Sequence, residues 1–195
     1  MTVAGIVLAA GDGSRLGGCA KALLPHRGRS LLHTVTDALH GGGCDEIVVV
    51  VGAYGDAVAA ACDATLTVVT NPEWSEGMST SLRVGIDAAG NRDTVAVTVV
   101  DFPGITSGLV HAVLSAHERG RMTVPVFDGR PGHPVVFDHV DAVAAAARAT
   151  GDEGARAFLA EHSDRVHRVD CTALADAADI DTPRDLYRLT LPRNG

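Results

Sequence analysis

The chain alternates between short apolar runs and longer stretches in which apolar residues recur every three or four positions. Residues 3–10 form an uninterrupted run without a polar side chain, and a glycine-rich segment follows at once. Such a run is typical of a central parallel strand buried on both faces. Residues 30–39 show the second pattern, because Leu31, Val35 and Leu39 are four positions apart behind a serine that suits a helix N-cap. The alternation predicts strand–helix units.

The rest of the pattern extends this alternation along the whole chain. We expect further strands over residues 47–51, 66–69, 95–100, 122–127, 134–137 and 166–169. We expect further helices over residues 56–62, 79–89, 106–118, 141–149, 154–161 and 183–189. This order predicts an α/β fold, one three-layer Rossmann-like domain over residues 1–195 with helices on both faces of a mostly parallel sheet. Ligands bind such sheets at the carboxyl ends of the strands, so the functional residues are expected in the loops there.

Composition and charge narrow the classes of function. The chain has 195 residues, of which 46% are hydrophobic, so it can bury one core and is not disordered. Sixteen Lys and Arg against 24 Asp and Glu give a net charge of −8, which argues against nucleic acid as a partner. No apolar stretch reaches the roughly 18 residues of a membrane span, and the four cysteines form no C-x-x-C pair. We therefore expect a cytoplasmic protein with reduced thiols and no membrane partner.

The loop after the first strand carries the densest candidate chemistry. Residues 11–21 read GDGSRLGGCAK, and their four glycines can leave backbone N–H groups facing phosphate. Arg15 can bind phosphate oxygens as a planar fork, and Lys21 can act as a point charge. The Walker A pattern is absent, and Leu16 stands where a dinucleotide fingerprint needs its third glycine. The residues favour a phosphate-binding loop, with a solvated surface loop as the alternative.

Two carboxylates stand at positions where a metal could be held. Asp101 directly follows the apolar strand over residues 95–100, and Asp181 precedes the last predicted helix. Carboxylate oxygens are the hard ligands that Mg²⁺ prefers. Each residue also has a structural alternative, since Asp is common in turns after strands and at helix starts.

Three glycine-containing segments carry the remaining candidates. Gly77, Met78, Ser79 and Ser81 surround the start of the helix predicted over residues 79–89, where free N–H groups suit an anion. The alternative is that either serine only caps this helix and that the single tryptophan, just before it, staples the loop to the core. His133 lies in a Gly-Pro turn and is equally explained as a hydrogen-bonded turn residue. A third segment, residues 151–156, reads GDEGAR, and its acids could simply favour the helix dipole.

These motifs, taken in order, resemble those of a known family. Leu8-Ala9-Ala10-Gly11, Arg15-Leu16-Gly17, Lys21 and Leu24-Pro25 are similar to the signature loop of nucleotidyltransferases. That family includes sugar-phosphate nucleotidyltransferases and the enzymes that attach a nucleotide to molybdopterin. Asp101-Phe102-Pro103 resembles its Asp-x-Pro motif, although the molybdopterin branch often has Met or Gln where this chain has Phe102. Residues 71–82, 129–137 and 151–156 resemble segments of the molybdenum cofactor enzymes.

The resemblance implies a nucleotidyltransferase fold and a role for each matching residue. Asp101 and Asp181 would hold Mg²⁺, and Arg15, Lys21 and Asp101 would be catalytic. The acceptor would be oriented by six residues: Gly77, Met78, Ser79, Ser81, His133 and Arg156. The nucleoside triphosphate would be bound by eight: Leu8, Ala9, Ala10, Gly11, Gly13, Ser14, Arg15 and Lys21.

The implied reaction joins a nucleoside monophosphate to the phosphate of a molybdopterin-type cofactor and releases pyrophosphate. The Leu-Ala-Ala-Gly form of the loop favours CTP, whereas the spacing from Gly17 to Lys21 also occurs in guanylyl members. A molybdenum hydroxylase apoenzyme is a further candidate partner. Three alternatives stay open: a sugar-phosphate nucleotidyltransferase, a Rossmann-type oxidoreductase and a non-catalytic assembly factor for a molybdenum hydroxylase. The failed dinucleotide fingerprint counts against the oxidoreductase, and the intact Lys21, Asp101 and Asp181 count against the assembly factor.

Overall fold

A mixed sheet forms the centre of the molecule. The computed structural model describes residues 2–175 and 178–190. The strands are β1 (Val3–Ala9), β2 (Pro25–His26), β3 (Arg29–Ser30), β4 (Glu46–Val51), β5 (Thr67–Thr70), β6 (Thr94–Val99), β7 (Met122–Phe127), β8 (Arg130–Pro131), β9 (Val135–Asp138) and β10 (Val166–Asp170). The sheet has the strand order β10-β7-β9-β6-β1-β4-β5, β8 pairs with β7, and β2 and β3 form a separate hairpin.

Within the described residues, six α-helices connect the strands, and the N-cap predicted at Ser30 is present. The helices are α1 (Leu31–Gly42), α2 (Gly55–Ala60), α3 (Met78–Ala89), α4 (Ser107–Ser115), α5 (His139–Arg148) and α6 (Arg156–Glu161). The Ser30 side chain accepts a hydrogen bond from the N–H of His33, and Thr106 does the same for Leu109. The helix expected over residues 183–189 forms as a 3₁₀ helix, Pro183–Thr190. Among the described residues, no helix is long and apolar enough to cross a membrane.

Strand direction in the main sheet follows the prediction except at two strands, β8 and β9. β1 runs parallel to β4 and β6, β5 is parallel to β4, and β10 is parallel to β7. β9 is antiparallel to both β6 and β7. Only residues 128–134 connect β7 to β9, and a parallel return would need a crossover of a dozen or more residues. The sheet is therefore mostly parallel, as predicted, with β8 and β9 reversed, and the short connection sets the direction of β9.

Side chains of β1 separate the core into two layers. Val3, Val7 and Ala9 pack in the cluster that also holds residues of α1 and α4. Ile6 and Leu8 pack in the cluster on the opposite face, which holds residues of α3, α5 and α6. Every residue of β1 is buried, as expected for a central strand covered on both sides. The three-layer prediction is confirmed.

The contact between α1 and α4 allows no side chain at Gly42. A Cβ on Gly42 would lie 2.4 Å from the Cβ of Val110 and 3.1 Å from the carbonyl oxygen of Ser107. We expect Gly42→Ala to lower the free energy of unfolding by about 1–3 kcal/mol, because the added methyl overpacks this crossing. Gly108→Ala in α4 is the matched control, since its Cβ would meet only Thr106 Oγ1 at 3.9 Å. Equal urea midpoints for the two variants would contradict the prediction.

Candidate functional site

A lysine and two aspartates from distant parts of the chain form the centre of the candidate site. Lys21 Nζ donates to Asp101 Oδ2 at 2.7 Å and to Asp181 Oδ1 at 2.7 Å. Arg15 Nη1 lies 3.6 Å from Asp181 Oδ2. The residues that the sequence singled out for phosphate and for metal are therefore in direct contact.

The fold explains why these side chains meet. Asp101 follows β6, and the N–H of Val100 still donates to the carbonyl of Leu8 in β1 at 3.2 Å. The N–H of Ile180 donates to the Asp101 carbonyl at 2.9 Å, and the Ile180 side chain is fully buried. This contact places Asp181 beside Asp101 at the carboxyl end of the central strands.

The lysine is held as a cation. Burial alone would lower the pKa of Lys21, but the charges and hydrogen bonds of Asp101 and Asp181 outweigh it, and the net pKa lies above 10.5. The side chains of Lys21 and Asp101 are only 16% and 19% exposed, whereas that of Arg15 is 75% exposed. Lys21 is thus a largely buried charge with two carboxylate partners, and Arg15 is an exposed charge at the rim.

A third carboxylate, Asp179, belongs to the same neighbourhood and was missed by the sequence reasoning. The residue keeps solvent contact, yet burial of its carboxyl group and the nearby charges of Asp101 and Asp181 raise its pKa to about 7, with Lys21 opposing the shift. The only available signal was its place in Asp179-Ile180-Asp181. The docking of Ile180 on the Asp101 backbone, which brings Asp179 close, cannot be read from that spacing.

The glycine loop is closed by its own backbone. Gly13 has a φ of 61°, and a Cβ on it would lie 2.3 Å from the carbonyl oxygen of Cys19. The N–H of Gly18 donates to the Gly13 carbonyl at 3.0 Å, while Ser14 and Arg15 stay exposed. Only a glycine at position 13 allows this closure, which presents residues 14 and 15 to solvent.

Most residues at the end of β1, just before the glycine loop, are buried within the fold. Leu8, Ala9 and Ala10 are buried, and Gly11 is exposed. The carbonyl of Ala10 accepts from the N–H of Ala53 at 3.0 Å. Gly11 is therefore the member of this group that is open to a ligand in this conformation.

The two segments predicted to orient an acceptor contact each other beside α3. A Cβ on Gly77 would lie 2.4 Å from the carbonyl carbon of Gly151, and the N–H of Met78 donates to Asp152 Oδ1 at 3.2 Å. Ser79 and Ser81 lie beneath the surface, 2% and 4% exposed. Gly77 is the N-cap of α3, so the alternative that Ser79 or Ser81 caps this helix is wrong.

Ser81 has a supporting role in this region that involves a further residue, Asn71. Asn71 is buried, and its Nδ2 donates to Ser81 Oγ at 2.9 Å and to Thr80 Oγ1 at 2.8 Å. Its Oδ1 accepts from the N–H of Glu73. Asn71 thus ties the loop of residues 71–77 to the first turn of α3.

His133 and Arg156 complete the predicted set. Burial lowers the pKa of His133, the Val97 carbonyl and the charge of Asp101 oppose this, and the charge of Arg156 lowers it further. His133 is therefore neutral at pH 7 and lies within electrostatic range of both Asp101 and Arg156. Arg156 is exposed at the start of α6.

Two aromatic residues near the site face the core. Phe102 is 2% exposed and meets Phe127 edge-on, with ring centroids 6.0 Å apart. The side chain that differs from the Met or Gln of the molybdopterin branch therefore packs in the core. Trp74 is half-buried, and a Cβ on Gly52 would lie 2.6 Å from the Trp74 Cβ. This packing over Gly52 supports the interpretation of Trp74 as a staple for its loop.

The carboxylate pair fits a divalent cation such as Mg²⁺. Asp101 and Asp181 each direct one oxygen to the same positive group at 2.7 Å, and both are hard donors. Over residues 2–175 and 178–190, no three His, Cys, Asp or Glu residues are grouped so that they could hold a metal. A cation there would take its remaining ligands from water and phosphate oxygens, as Mg²⁺ commonly does.

Comparison with known proteins points to one family. The model of the MobA-like NTP transferase domain matches residues 5–166. The chain is 38% identical to a protein named nicotine blue oxidoreductase from Paenarthrobacter nicotinovorans, with 96% of each chain covered. It is 28% identical to the molybdenum cofactor cytidylyltransferase of Escherichia coli K12, covering 92% of this chain and 91% of that one.

A solved structure with a similar fold contains a bound metal. The manganese complex of Rv0371c from Mycobacterium tuberculosis H37Rv superposes with a TM-score of 0.78 at 26% identity, covering 97% of this chain and 98% of that one. The manganese belongs to that protein's structure, and it shows that a divalent cation is compatible with this fold.

Proposed function

Because the chain belongs to the MobA-like NTP transferase family, we propose that it transfers a nucleoside monophosphate from a nucleoside triphosphate to the phosphate of a molybdopterin-type cofactor. The single observation that supports this most strongly is the contact of Lys21 with Asp101 and Asp181 at the carboxyl ends of the central strands. The contact joins a phosphate-binding charge to a metal-binding pair, and this is the machinery that phosphoryl chemistry requires.

The proposed transfer is a displacement at phosphorus. An oxygen of the ionised acceptor phosphate forms a bond to the α-phosphorus, and the bond from that phosphorus to the bridging oxygen of the β-phosphate breaks. The electron pair leaves with pyrophosphate, and no proton has to move. The residues of the protein therefore position the two reactants and neutralise charge.

The fixed charges divide the work at the triphosphate. Lys21 exchanges its carboxylate contacts for oxygens of the departing pyrophosphate, and the exposed Arg15 binds the same group from the rim. Gly11 and Ser14 line the approach of the nucleotide, and the buried Leu8, Ala9, Ala10 and Gly13 shape the loop from beneath. Asp101 and Asp181 hold the divalent cation, which neutralises phosphate charge when bound.

The acceptor lies on the other side of the carboxylate pair. Gly77 and Met78 at the start of α3, His133 and Arg156 orient it. Ser79 and Ser81 act from beneath, because their side chains are buried and support the first turn of α3. A neutral His133 carries no charge that competes with Arg156, and its single N–H can reach the acceptor only in exchange for the Val97 carbonyl.

CTP is the proposed nucleotide, and a molybdenum hydroxylase apoenzyme is the proposed recipient of the product. The loop sequence and the relative named a cytidylyltransferase both support CTP. A second candidate is a reductase activity, because the 38% identical relative is named an oxidoreductase. A reductase has no use for a divalent metal on Asp101 and Asp181, so metal dependence separates the two activities.

A pyrophosphate-release assay tests the proposal. The protein is mixed with molybdopterin cofactor, Mg²⁺ and CTP, GTP or ATP, and a parallel reaction follows oxidation of NADPH with a quinone dye. We expect pyrophosphate from CTP, loss of activity in chelator and recovery on adding Mg²⁺ or Mn²⁺. Release with GTP alone would make the protein a guanylyltransferase. NADPH oxidation without pyrophosphate release would favour the reductase, and neither activity would favour an assembly factor.

Cys19 offers a test of nucleotide binding that does not depend on turnover. Cys19 is half-buried within the glycine loop, and Cys62, half-buried after α2, is the matched control. At a nucleotide concentration about ten times Kd, we expect alkylation of Cys19 to slow about tenfold and that of Cys62 to stay unchanged. Burial raises the pKa of the Cys44 thiol to about 12, so Cys44 should react only after unfolding. Peptide mass spectrometry measures all three; equal protection of Cys19 and Cys62 would refute nucleotide binding at the loop.

A further inference from the structure

A backbone seam joins the start of α3 to the turn that follows α5. We define this seam as residues 77–78 together with 151–154. A Cβ on Gly77 would lie 2.4 Å from the carbonyl carbon of Gly151, and a Cβ on Gly154 would lie 3.2 Å from Met78 Sδ. Met78 N–H donates to Asp152 Oδ1. The two backbones are so close that residues 151–154 form one wall of the space around Gly77 and Met78.

An arginine further along α3 holds the other segment of the seam. Arg83 Nη2 donates to the carbonyl of Ala149 at 2.9 Å, and its Nε donates to the carbonyl of Ala146 at 3.3 Å. These carbonyls belong to the last turn and the C-cap of α5, where helix carbonyls have no partner within the helix. Arg83 therefore fixes the point at which the chain leaves α5, two residues before Gly151.

The contacts form a closed ring. It runs from Met78 along α3 to Arg83, across to Ala149, along the chain to Asp152 and back to the N–H of Met78. A guanidinium can hold two carbonyls at once in a fixed plane, which an ammonium on a flexible stem does not do. Opening the ring at Arg83 removes the two side-chain hydrogen bonds that tie α3 to the end of α5 and leaves the Asp152 hydrogen bond and the packing of the two helices.

We propose that Arg83 is a positioning residue for the acceptor, because it keeps the seam closed and Gly77 and Met78 in place. This inference rests on the proposed function, in which Gly77 and Met78 orient the acceptor. No link of the ring involves Lys21 or Asp101, which are proposed to act on the nucleotide and metal. Loss of Arg83 therefore affects the KM for the acceptor and leaves the KM for the nucleotide unchanged.

The experiment compares Arg83→Met with Arg148→Met in the full chain. Arg148 ends the same helix α5 and forms an ion pair with Glu161, so its loss removes a charge without touching the ring. We expect Arg83→Met to raise the acceptor KM about tenfold, with kcat and nucleotide KM within about twofold of wild type. Amide hydrogen exchange of residues 78 and 151–154 should accelerate about tenfold. Arg83→Lys should give intermediate values, and Arg148→Met should match wild type.

Each outcome decides the proposal. Equal exchange and equal acceptor KM in Arg83→Met and Arg148→Met would overturn it. Faster exchange with an unchanged acceptor KM would reduce Arg83 to a purely structural residue, and an equal rise of both KM values would show a general loss of the site. If the wild-type protein transfers no nucleotide to any acceptor, the proposed function fails, and the exchange comparison alone decides whether Arg83 holds the seam.

Discussion

Asp101→Asn is expected to lower kcat for nucleotidyl transfer about a thousandfold without unfolding the protein. The carboxylate would supply one of two protein ligands to the cation, and losing that charge removes several kcal/mol of transition-state stabilisation. Asparagine has nearly the same shape, and the Asp101 carbonyl that accepts from Ile180 N–H belongs to the backbone. Lys21 keeps its contact with Asp181. The loss is therefore expected in catalysis and metal affinity, and not in the fold.

The measurement pairs transfer kinetics with Mn²⁺ binding followed by electron paramagnetic resonance. Asp45→Asn is the matched control, because Asp45 accepts from the N–H of Val3 at the opposite end of β1. We expect Mn²⁺ affinity to fall in Asp101→Asn and to stay at the wild-type value in Asp45→Asn. Full activity of Asp101→Asn with unchanged urea unfolding would remove Asp101 from the metal pair.

The second large effect is expected for Lys21→Met. This change removes the charge proposed to stabilise the leaving pyrophosphate, and removing one such electrostatic contact commonly costs about a hundredfold or more in kcat. It also leaves Asp101 and Asp181 facing each other without the ammonium that both contact at 2.7 Å. We therefore expect weaker nucleotide binding as well as slower turnover, measured from kcat and from the KM for CTP.

Arg15→Met tests whether the exposed charge of Arg15 contributes less to activity than the largely buried charge of Lys21. Arg15 carries the same charge in the same loop, but its side chain is 75% exposed and 3.6 Å from Asp181. Exposed ion pairs contribute little in high dielectric, so we expect about a tenfold loss, smaller than for Lys21→Met. Equal losses in the two variants would contradict the special position of Lys21.

The fold was largely predictable because its hydrophobic pattern is regular. The run over residues 3–10 and the four-residue spacing from Leu31 to Leu39 each have one physical explanation, a strand buried on both faces and an amphipathic helix. The direction of β9 was not predictable in the same way, since periodicity carries no information about which way a strand runs. It depends on the shortness of the connection over residues 128–134.

Site residues were predictable where the type of side chain indicates a phosphate or metal ligand. They were not predictable where tertiary contacts determine which residues come together. Arg15 and Lys21 lie in the loop after β1, and Asp101 lies just after β6, where parallel sheets collect their ligands. Asp181 precedes the last helix and is a residue type suited to a metal. The involvement of Asp179 follows from a backbone hydrogen bond between Ile180 and Asp101, which no spacing reveals.

Burial is the second kind of information that spacing lacks. Ser79 and Ser81 follow Gly77 in a segment that suits ligand contact, yet both face inward, and Asn71 binds Ser81. The Phe102 side chain lies among core residues for a comparable reason. The first turn of α3 and the residue after Asp101 both point toward the sheet, so sequence alone could not tell a contact residue from a supporting one.

Following the α-phosphate of the nucleotide is the most direct test of nucleotidyl transfer by this protein. The wild-type protein is incubated with molybdopterin cofactor, Mg²⁺ and CTP labelled at the α-phosphorus, and the label is counted in the purified cofactor and compared with the pyrophosphate released. We predict one labelled cofactor for each pyrophosphate, and no label with Asp101→Asn. Absence of labelled cofactor with CTP, GTP and ATP alike would contradict nucleotidyl transfer as the function of this protein.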